Sequence, residues 1–285
     1  MKTLYVSDLD GTLLGPDSRI SPRSMGILTE LIEGGLMFTY ATARSYASAR
    51  VVTSALRVSA PAITYNGAML VDTRDGRVLS SLRHSPAVTA AVRALAADDG
   101  APLPYVYSIV GGRERVSYRP DRMSAGMERY LASRPGDGRF RAVEDGDALF
   151  EGEAFYFTFI DSRARLEPIY RRVRELDCLT SLHAYPDAPD EYWLEMMPRG
   201  ATKALAIEQL RRDMGFERVV CFGDFHNDAS MFRAADEAYA VGNAEAELKA
   251  LATAVIGDNA HDGVVEFLQK RILGAHQQAC VQHFA

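Results

Sequence analysis

The chain has 285 residues, 47% of them hydrophobic, with 32 Lys and Arg against 38 Asp and Glu. This composition is typical of a globular protein, and the net charge of −6 argues against a nucleic-acid partner, which would favour a basic face. No stretch approaches the roughly 18 apolar residues of a membrane helix. The start MKTLYVSDLDG lacks the apolar segment of a signal peptide, so we expect a cytoplasmic protein with no membrane partner.

The cysteines do not indicate a disulfide framework. Cys178, Cys221 and Cys280 are odd in number, lie far apart and show no CxxC spacing. We therefore expect reduced thiols rather than disulfides or a zinc site.

Strands and helices alternate in the first 80 residues. TLYVSDLDG reads as a buried strand, and the helix after it begins at Ser21-Pro22, an N-cap followed by proline. LMFTYATAR and APAITYNGAML are predicted strands on either side of the helix SYASARVVTSALRV. This order predicts a parallel sheet with right-handed crossovers. MLVDTRDGRVLSS then reads as a hairpin that turns at Asp75-Gly76.

The pattern changes after about residue 83, where strands and helices no longer alternate strictly. The last predicted strands of this stretch, SLHAY and YWLEMMP, form an antiparallel pair. The alternation returns with the helix GATKALAIEQLRRDMG, the strand RVVCFGD and the helix NDASMFRAADE. We therefore predict an α/β fold: a Rossmann-like, doubly wound parallel core of residues 1–82 and 198–285, interrupted by an α+β domain of residues 83–197.

Polar side chains that could bind a ligand or take part in catalysis lie at the predicted strand ends. Ligands of parallel α/β sheets bind outside the carboxyl ends of the strands. The residues predicted there are Asp8, Asp10, Thr42, Arg44, Asn66, Asp224, Asn227 and Asp228, and Lys203 lies early in a following helix. So many carboxylates require a hard cation, and oxygen ligands favour Mg²⁺ over zinc. One aspartate of the first pair can then attack as a nucleophile while the other transfers a proton.

These residues resemble the motifs of the haloacid dehalogenase superfamily of phosphatases. DLDGTLL resembles its first motif, DxDGT, and GDFHNDASM its fourth, GDxxND. Thr42 in ATAR and Lys203 match the second and third motifs. YNGA and LEMMPRGATKALAI resemble the Cof-like, type IIB branch, in which a C2B-type α+β cap interrupts the core.

The resemblance implies a Mg²⁺-dependent phosphatase of small phosphorylated metabolites, either sugar phosphates or phosphorylated cofactors. Asp8 would form an aspartyl-phosphate, and Asp10 would protonate the leaving alcohol and then deprotonate water. Asp8, the main-chain carbonyl of Asp10 and Asp224 would hold Mg²⁺, with Asp228 in or near the second coordination sphere. The substrate-binding residues would be Thr42, Ala43, Arg44, Asn66, Lys203 and Asn227.

Two regions bear on how a substrate is held. The branch usually has glycine where this chain has Ala43. An alanine is awkward there if the position needs a positive φ, and it serves if only its N–H is used, so we expect a modest change in loop geometry. The inserted domain must close over the core to exclude water. Its aromatic and polar candidates are Tyr105, Tyr107, Tyr118, Tyr156, His183, Tyr185, Tyr192 and Trp193.

Alternatives remain for individual residues and for the function of the protein. Thr42 also reads as a helix N-cap, Lys203 as a solvated helix lysine, Asn66-Gly67 as a plain turn and Asp228 as a first-turn helix acid. A sugar phosphomutase or a disaccharide-phosphate phosphatase would use the same core. A non-catalytic module that accepts phosphate or binds metal would also place such residues at strand ends, although it has no need of Asp10 as an acid. The sequence does not indicate an oligomeric state.

Overall fold

The two stretches of alternating strand and helix form one structural unit, and the chain between them forms another. A computed structural model describes residues 1–98, 100–185 and 188–283. The first unit is Met1–Ser80 with Thr202–Ala285, and the second is Ser81–Ala201. The predicted boundaries, at 82/83 and 197/198, lie close to these. That the units act as catalytic core and cap stays a prediction.

The described residues form fourteen strands, numbered here in chain order. They are β1 (Thr3–Ser7), β2 (Met37–Tyr40), β3 (Ala62–Thr64), β4 (Met69–Asp72), β5 (Arg77–Ser81), β6 (Tyr105–Val110), β7 (Arg113–Tyr118), β8 (Phe140–Ala142), β9 (Glu153–Asp161), β10 (Cys178–Tyr185), β11 (Ala188–Pro198), β12 (Arg218–Gly223), β13 (Glu237–Ala240) and β14 (Ala254–Val255).

The helices occupy most of the segments between the strands. They are α1 (Pro22–Glu33), α2 (Tyr46–Thr53), α3 (Pro86–Ala96), α4 (Ala125–Ala132), α5 (Gly146–Leu149), α6 (Arg163–Val173), α7 (Lys203–Met214), α8 (Ala229–Ala234), α9 (Ala246–Leu251) and α10 (Gly263–His283). Among the described residues, no helix combines the length and apolar character needed to cross a membrane.

A parallel sheet forms the centre of the first unit, as predicted, but the prediction that the third strand belongs to it is wrong, because β3 lies in a separate sheet of order β3-β4-β5 and pairs antiparallel with β4. The order of the parallel sheet is β14-β13-β12-β1-β2, and all of its neighbouring strands are parallel. Both faces are covered, so β1 is buried along most of its length and reads as an apolar run. The register pairs Ser7 with Phe222 on one side and with Tyr40 on the other. The carboxyl ends of β12, β1 and β2 therefore lie side by side.

Local capping explains where the helices begin. The side chain of Ser21 accepts a hydrogen bond from the amide of Ser24, with Pro22 at the first helical position of α1. Thr202 caps α7 in the same way, and Gly215 ends that helix with a φ of 66°. The caps fix the first residues of the helices that approach the strand ends.

The second unit is the predicted α+β domain. Its sheet has the order β10-β11-β9-β6-β7-β8 and is antiparallel except between β7 and β8. Apolar side chains of α3 and α6, such as Val92 and Leu166, join Phe157 and Leu194 of the sheet in one core. Of the predicted cap residues, Tyr105, Tyr107 and Tyr156 are buried, whereas Tyr185 is exposed and stacks on Trp193.

Several predicted elements differ from those observed, among them the helix predicted over SYASARVVTSALRV, which ends at Thr53. The third predicted strand runs through Asn66-Gly67, but β3 ends at Thr64 because Tyr65 and Asn66 adopt φ values of 51° and 53°, which interrupt the extended backbone. The predicted helix NDASMFRAADE starts later and is shorter, since α8 begins at Ala229 after a 3₁₀ turn. Cys178 and Cys221 are free thiols, as expected, and the side chain of Cys280 lies outside the described residues.

Candidate active site

Acidic residues from distant parts of the chain meet at the carboxyl edge of the parallel sheet. Asp8 follows β1 and Asp224 follows β12, and the amide of Asp8 donates to the carbonyl of Phe222 at 3.0 Å. One ligand atom each of Asp8, Asp224 and Asp228 lie within 4.8 Å of one another. The parallel register of β1 and β12 therefore brings two of the predicted motifs together.

Lys203 connects two of these carboxylates. It is the first residue of α7, it is 1% exposed, and its Nζ donates to Oδ1 of Asp8 and, at 2.6 Å, to Oδ1 of Asp228. Burial alone lowers the pKa of Lys203, but the two carboxylates outweigh burial and raise it, so the side chain is an ammonium ion. The alternative of a solvated helix lysine is wrong.

Asp228 is fully buried, and donors from the protein already occupy both of its oxygens. Oδ1 accepts from Lys203, while Oδ2 accepts from the amides of Asp224 at 3.0 Å and Phe225 at 3.3 Å. This carboxylate therefore holds both the lysine and the loop that carries Asp224.

The charges of the cluster do not balance. Asp8 and Asp228 pair with the ammonium group of Lys203, and the partly buried Asp224 adds a third carboxylate, so the four groups carry a formal charge of two negative. Burial raises the pKa of Asp8 and outweighs the opposing effect of Lys203. Burial also raises the pKa of Asp224 to about 6, against the hydrogen bond that Thr12 donates to its Oδ1 at 2.9 Å. The all-oxygen donor set and the excess negative charge fit a divalent cation such as Mg²⁺.

Asp10 lies apart from this cluster and pairs with an arginine. Nε of Arg44 donates to Oδ2 of Asp10 at 2.8 Å, and Nη2 donates to Oδ1 at 2.5 Å. The Asp10 side chain is 51% exposed, whereas that of Arg44 is 22% exposed. The hydrogen bonds to Asp10 raise the pKa of Arg44, so the guanidinium keeps its positive charge.

The loop after β2 positions Thr42 and Arg44. Thr42 is fully buried, its amide donates to the carbonyl of Ile63, and its Oγ1 accepts from the amide of Arg44 at 3.1 Å. Ser45, not Thr42, caps α2, so the N-cap interpretation of Thr42 is wrong. Ala43 is exposed and is not among the described residues with a positive φ, so this position does not need glycine.

Asn66 and Gly67 form a left-handed turn against the start of α7. Nδ2 of Asn227 donates to Oδ1 of Asn66 at 3.3 Å, which joins two predicted substrate-binding residues. Gly67 has a φ of 104°, and a Cβ there would lie 2.2 Å from the carbonyl oxygen of Thr202. The turn thus packs directly on the backbone that presents Lys203, and its glycine allows that contact.

Three supporting residues had no predicted role. Thr12 holds Asp224, and Gly11 lets the first motif pack against Asp224, since a Cβ there would lie 2.2 Å from its Oδ2. Asn243 donates to the carbonyl of Gly11 at 2.7 Å. Thr12 and Gly11 belong to DLDGT, so the motif contained their signal, whereas Asn243 lies in no recognised motif.

Comparison with known proteins identifies the family. The family model described as haloacid dehalogenase-like hydrolase matches residues 5–268, and the chain belongs to this family. The chain is 26% identical to an HMP-PP phosphatase of Serratia proteamaculans, over 94% of this chain and 95% of that protein. It is 27% identical to pyridoxal phosphate phosphatase YbhA of Escherichia coli, over 93% and 97%. The protein is therefore an enzyme, a phosphatase of the haloacid dehalogenase type, and the alternative of a non-catalytic module is set aside.

Solved structures share the fold. A Thermotoga maritima protein superposes with a TM-score of 0.75 at 22% identity, covering 95% of this chain and 97% of that one. The subclass IIB sugar phosphatase BT4131 superposes with a TM-score of 0.68 at 20% identity, covering 96% and 99%. The family named from the motifs and the predicted fold class are both confirmed.

Proposed function

We propose that this protein is a Mg²⁺-dependent phosphatase that hydrolyses phosphomonoesters of small metabolites through an aspartyl-phosphate on Asp8. The observation that carries the proposal is the cluster of Asp8, Asp224 and Asp228, in which the buried Lys203 donates to Asp8 and Asp228, together with Asp10 two residues after Asp8. In this proposal the first unit is the catalytic core and the second is the cap.

The candidate metal ligands are the side chains of Asp8 and Asp224 and the main-chain carbonyl of Asp10. Asp228 supports the site indirectly, because its oxygens already accept from Lys203 and from two amides. When bound, Mg²⁺ would neutralise charge that develops on the transferring phosphoryl group.

The protein side chains divide the reaction into two transfers. An oxygen of Asp8 attacks phosphorus while the bond from phosphorus to the leaving oxygen breaks, and Asp10, which enters this step as the protonated acid, gives its proton to that oxygen. Water then attacks the aspartyl-phosphate, Asp10 takes a proton from the water, and phosphate leaves as the Asp8 carboxylate is restored. Lys203 and Thr42 bind the phosphoryl oxygens and offset their charge.

The expected substrates are sugar phosphates or phosphorylated cofactors. Relatives named HMP-PP phosphatase and pyridoxal phosphate phosphatase support a small phosphorylated metabolite. Asn66, Asn227 and the amide of Ala43 are candidate contacts to it. Asn227 donates a hydrogen bond to Asn66, and the adjoining Gly67 packs against Thr202 at the start of α7.

A phosphate-release screen tests this function. Wild-type protein with Mg²⁺ is incubated with a panel of sugar phosphates, phosphorylated cofactors and p-nitrophenyl phosphate. We expect inorganic phosphate from at least one metabolite, loss of release with EDTA, and recovery with added Mg²⁺. D8N should lower kcat by at least about 10³-fold, since the nucleophile is lost.

The outcomes separate the proposed reaction from its rivals. Isomerised product without free phosphate would show a phosphomutase instead. Wild-type rates in D8N would remove Asp8 as the nucleophile, provided that circular dichroism shows both proteins folded.

A further inference from the structure

The Asp10 carboxylate depends on one arginine for its orientation. Of the hydrogen bonds among the described residues, those that Asp10 accepts through its side chain both come from Arg44. Its side chain is half exposed, so packing does not fix it. A planar guanidinium with two parallel N–H groups fixes both the direction and the plane of a carboxylate.

Arg44 is itself held firmly at its backbone. Its amide donates to Oγ1 of Thr42 at 3.1 Å, and its carbonyl accepts from the amide of Tyr65 at 3.0 Å. Ser45, the next residue, caps α2. The guanidinium therefore extends from a loop whose backbone is fixed by hydrogen bonds, and its two bonds to Asp10 hold that carboxyl group in place.

We propose that Arg44 is the positioning residue of the acid–base Asp10 rather than a contact to the substrate phosphate. The proposal rests on the proposed function, in which Asp10 transfers a proton to and from the reacting oxygens. The fork of Arg44 uses one lone-pair site on each oxygen of Asp10, so the carboxyl group can still carry a proton on either oxygen. A site on each oxygen stays free for the leaving oxygen or the attacking water.

Positioning of Asp10 and direct contact to the substrate phosphate predict different effects of removing Arg44. The two roles differ in how the loss of activity depends on the leaving group of the substrate. An alkoxide needs a proton to leave, whereas p-nitrophenolate does not, so a fault in Asp10 slows alkyl phosphates selectively. A lost contact to phosphate slows every substrate equally, because all of them carry the same phosphoryl group. The ratio kcat/KM reports the first transfer and leaves out the later hydrolysis of the phosphoenzyme.

The experiment compares kcat/KM for the best alkyl phosphate of the panel with that for p-nitrophenyl phosphate. R44M should lower the alkyl value by at least about tenfold more than the p-nitrophenyl value, within the range for lost acid catalysis. R44K keeps the charge but not the fork and should retain the selective defect. In a D10A background, R44M should change the kcat/KM for the alkyl phosphate by less than about threefold. Arg44 acts through Asp10, so its loss has little further effect once the Asp10 carboxyl group is gone.

R74M is the matched control. Arg74 makes the same fork to Asp72, with bonds of 2.9 and 2.6 Å, in the same unit and outside the site. R74M should leave the ratio of the two substrates unchanged. Equal losses of R44M on both substrates that persist in D10A, or full recovery by R44K, would overturn the proposal. These readings need an active wild type, so a failure of the proposed function is seen separately, in the release screen.

Discussion

At the scale of single residues, Lys203 offsets part of the negative charge of the candidate site. Its ammonium lies between Asp8 and Asp228 and is 1% exposed. An unpaired buried carboxylate is expensive, and removing one member of a buried pair costs about 3–5 kcal/mol. The same contact serves stability and the candidate chemistry, because it fixes Asp8, the proposed nucleophile, and lies where the phosphoryl group is proposed to bind.

K203M should therefore lower both stability and activity. We expect a loss of about 3 kcal/mol in the free energy of unfolding, since two buried carboxylates lose their cation. Urea unfolding measures this loss, and phosphate release measures the activity. K270M is the control, because Lys270 is 80% exposed in its pair with Glu266 and its loss should stay within about 0.5 kcal/mol. A stable K203M would show that the cluster holds without the ammonium.

The sequence predicted the members of the site but not all of their partners. DLDGT, Lys203 and GDFHND each lie where a parallel sheet brings strand ends and helix starts together, and that topology followed from the alternation of elements. The pairing of Arg44 with Asp10 depends on the path of two loops that are 34 positions apart, and no periodicity encodes it. The saturation of Asp228 by two amides likewise appears only when the loop is folded.

At the scale of elements, the site depends on how turns pack against helix starts. The turn Tyr65–Gly67 follows β3 and meets the carbonyl of Thr202, the N-cap of α7. The sequence signalled a turn at Asn66-Gly67, but it gave no sign that Tyr65 also adopts a positive φ. That conformation is uncommon for an aromatic residue and ends β3 earlier than its apolar pattern predicts.

G67A should displace the start of α7. The added Cβ would meet the Thr202 carbonyl oxygen at 2.2 Å, and alanine is also strained at a φ of 104°. G35A isolates the second effect, because Gly35 has a φ of 99° with nothing within 4 Å of an added Cβ. We expect G35A to cost about 1 kcal/mol and G67A at least about 2 kcal/mol more. Urea unfolding gives these values, and kcat should fall in G67A alone; equal effects of both variants would contradict the close packing.

At the scale of the whole molecule, the sequence of the second unit is inserted between the two parts of the first. The candidate site combines Asp8 from the N-terminal part of the chain with Asp224 from the C-terminal part. During synthesis, the first unit can therefore complete its fold only after the second unit has been synthesised. The sequence predicted this organisation because the alternation of strand and helix stops and resumes. It did not predict which aromatic residues of the second unit are core, since alternation along a strand does not tell which face is covered.

The second unit carries a buried histidine that should make it sensitive to acid. His84 is 7% exposed, stacks on Phe157 with ring centroids 4.8 Å apart, and its Nε2 lies 3.3 Å from the carbonyl oxygen of Met196. Its Nδ1 is buried without a hydrogen-bond partner among the described residues. Burial lowers the pKa of His84 to about 4, from about 6.5 in the unfolded chain.

The free energy of unfolding should therefore decrease as the pH is lowered from about 6.5 to 4, because His84 takes up a proton in the unfolded chain at a higher pH than in the folded protein. His84 stabilises the fold fully above pH 6.5 and should contribute about 2 kcal/mol less at pH 5. The fluorescence of Trp193, the single tryptophan, reports unfolding of this unit. H84Q should lose less stability than the wild type between pH 7.5 and 5. H183Q is the control, since the His183 side chain is 49% exposed and stays hydrated when folded. Parallel pH profiles of the wild type and H84Q would show that His84 is not the group that titrates.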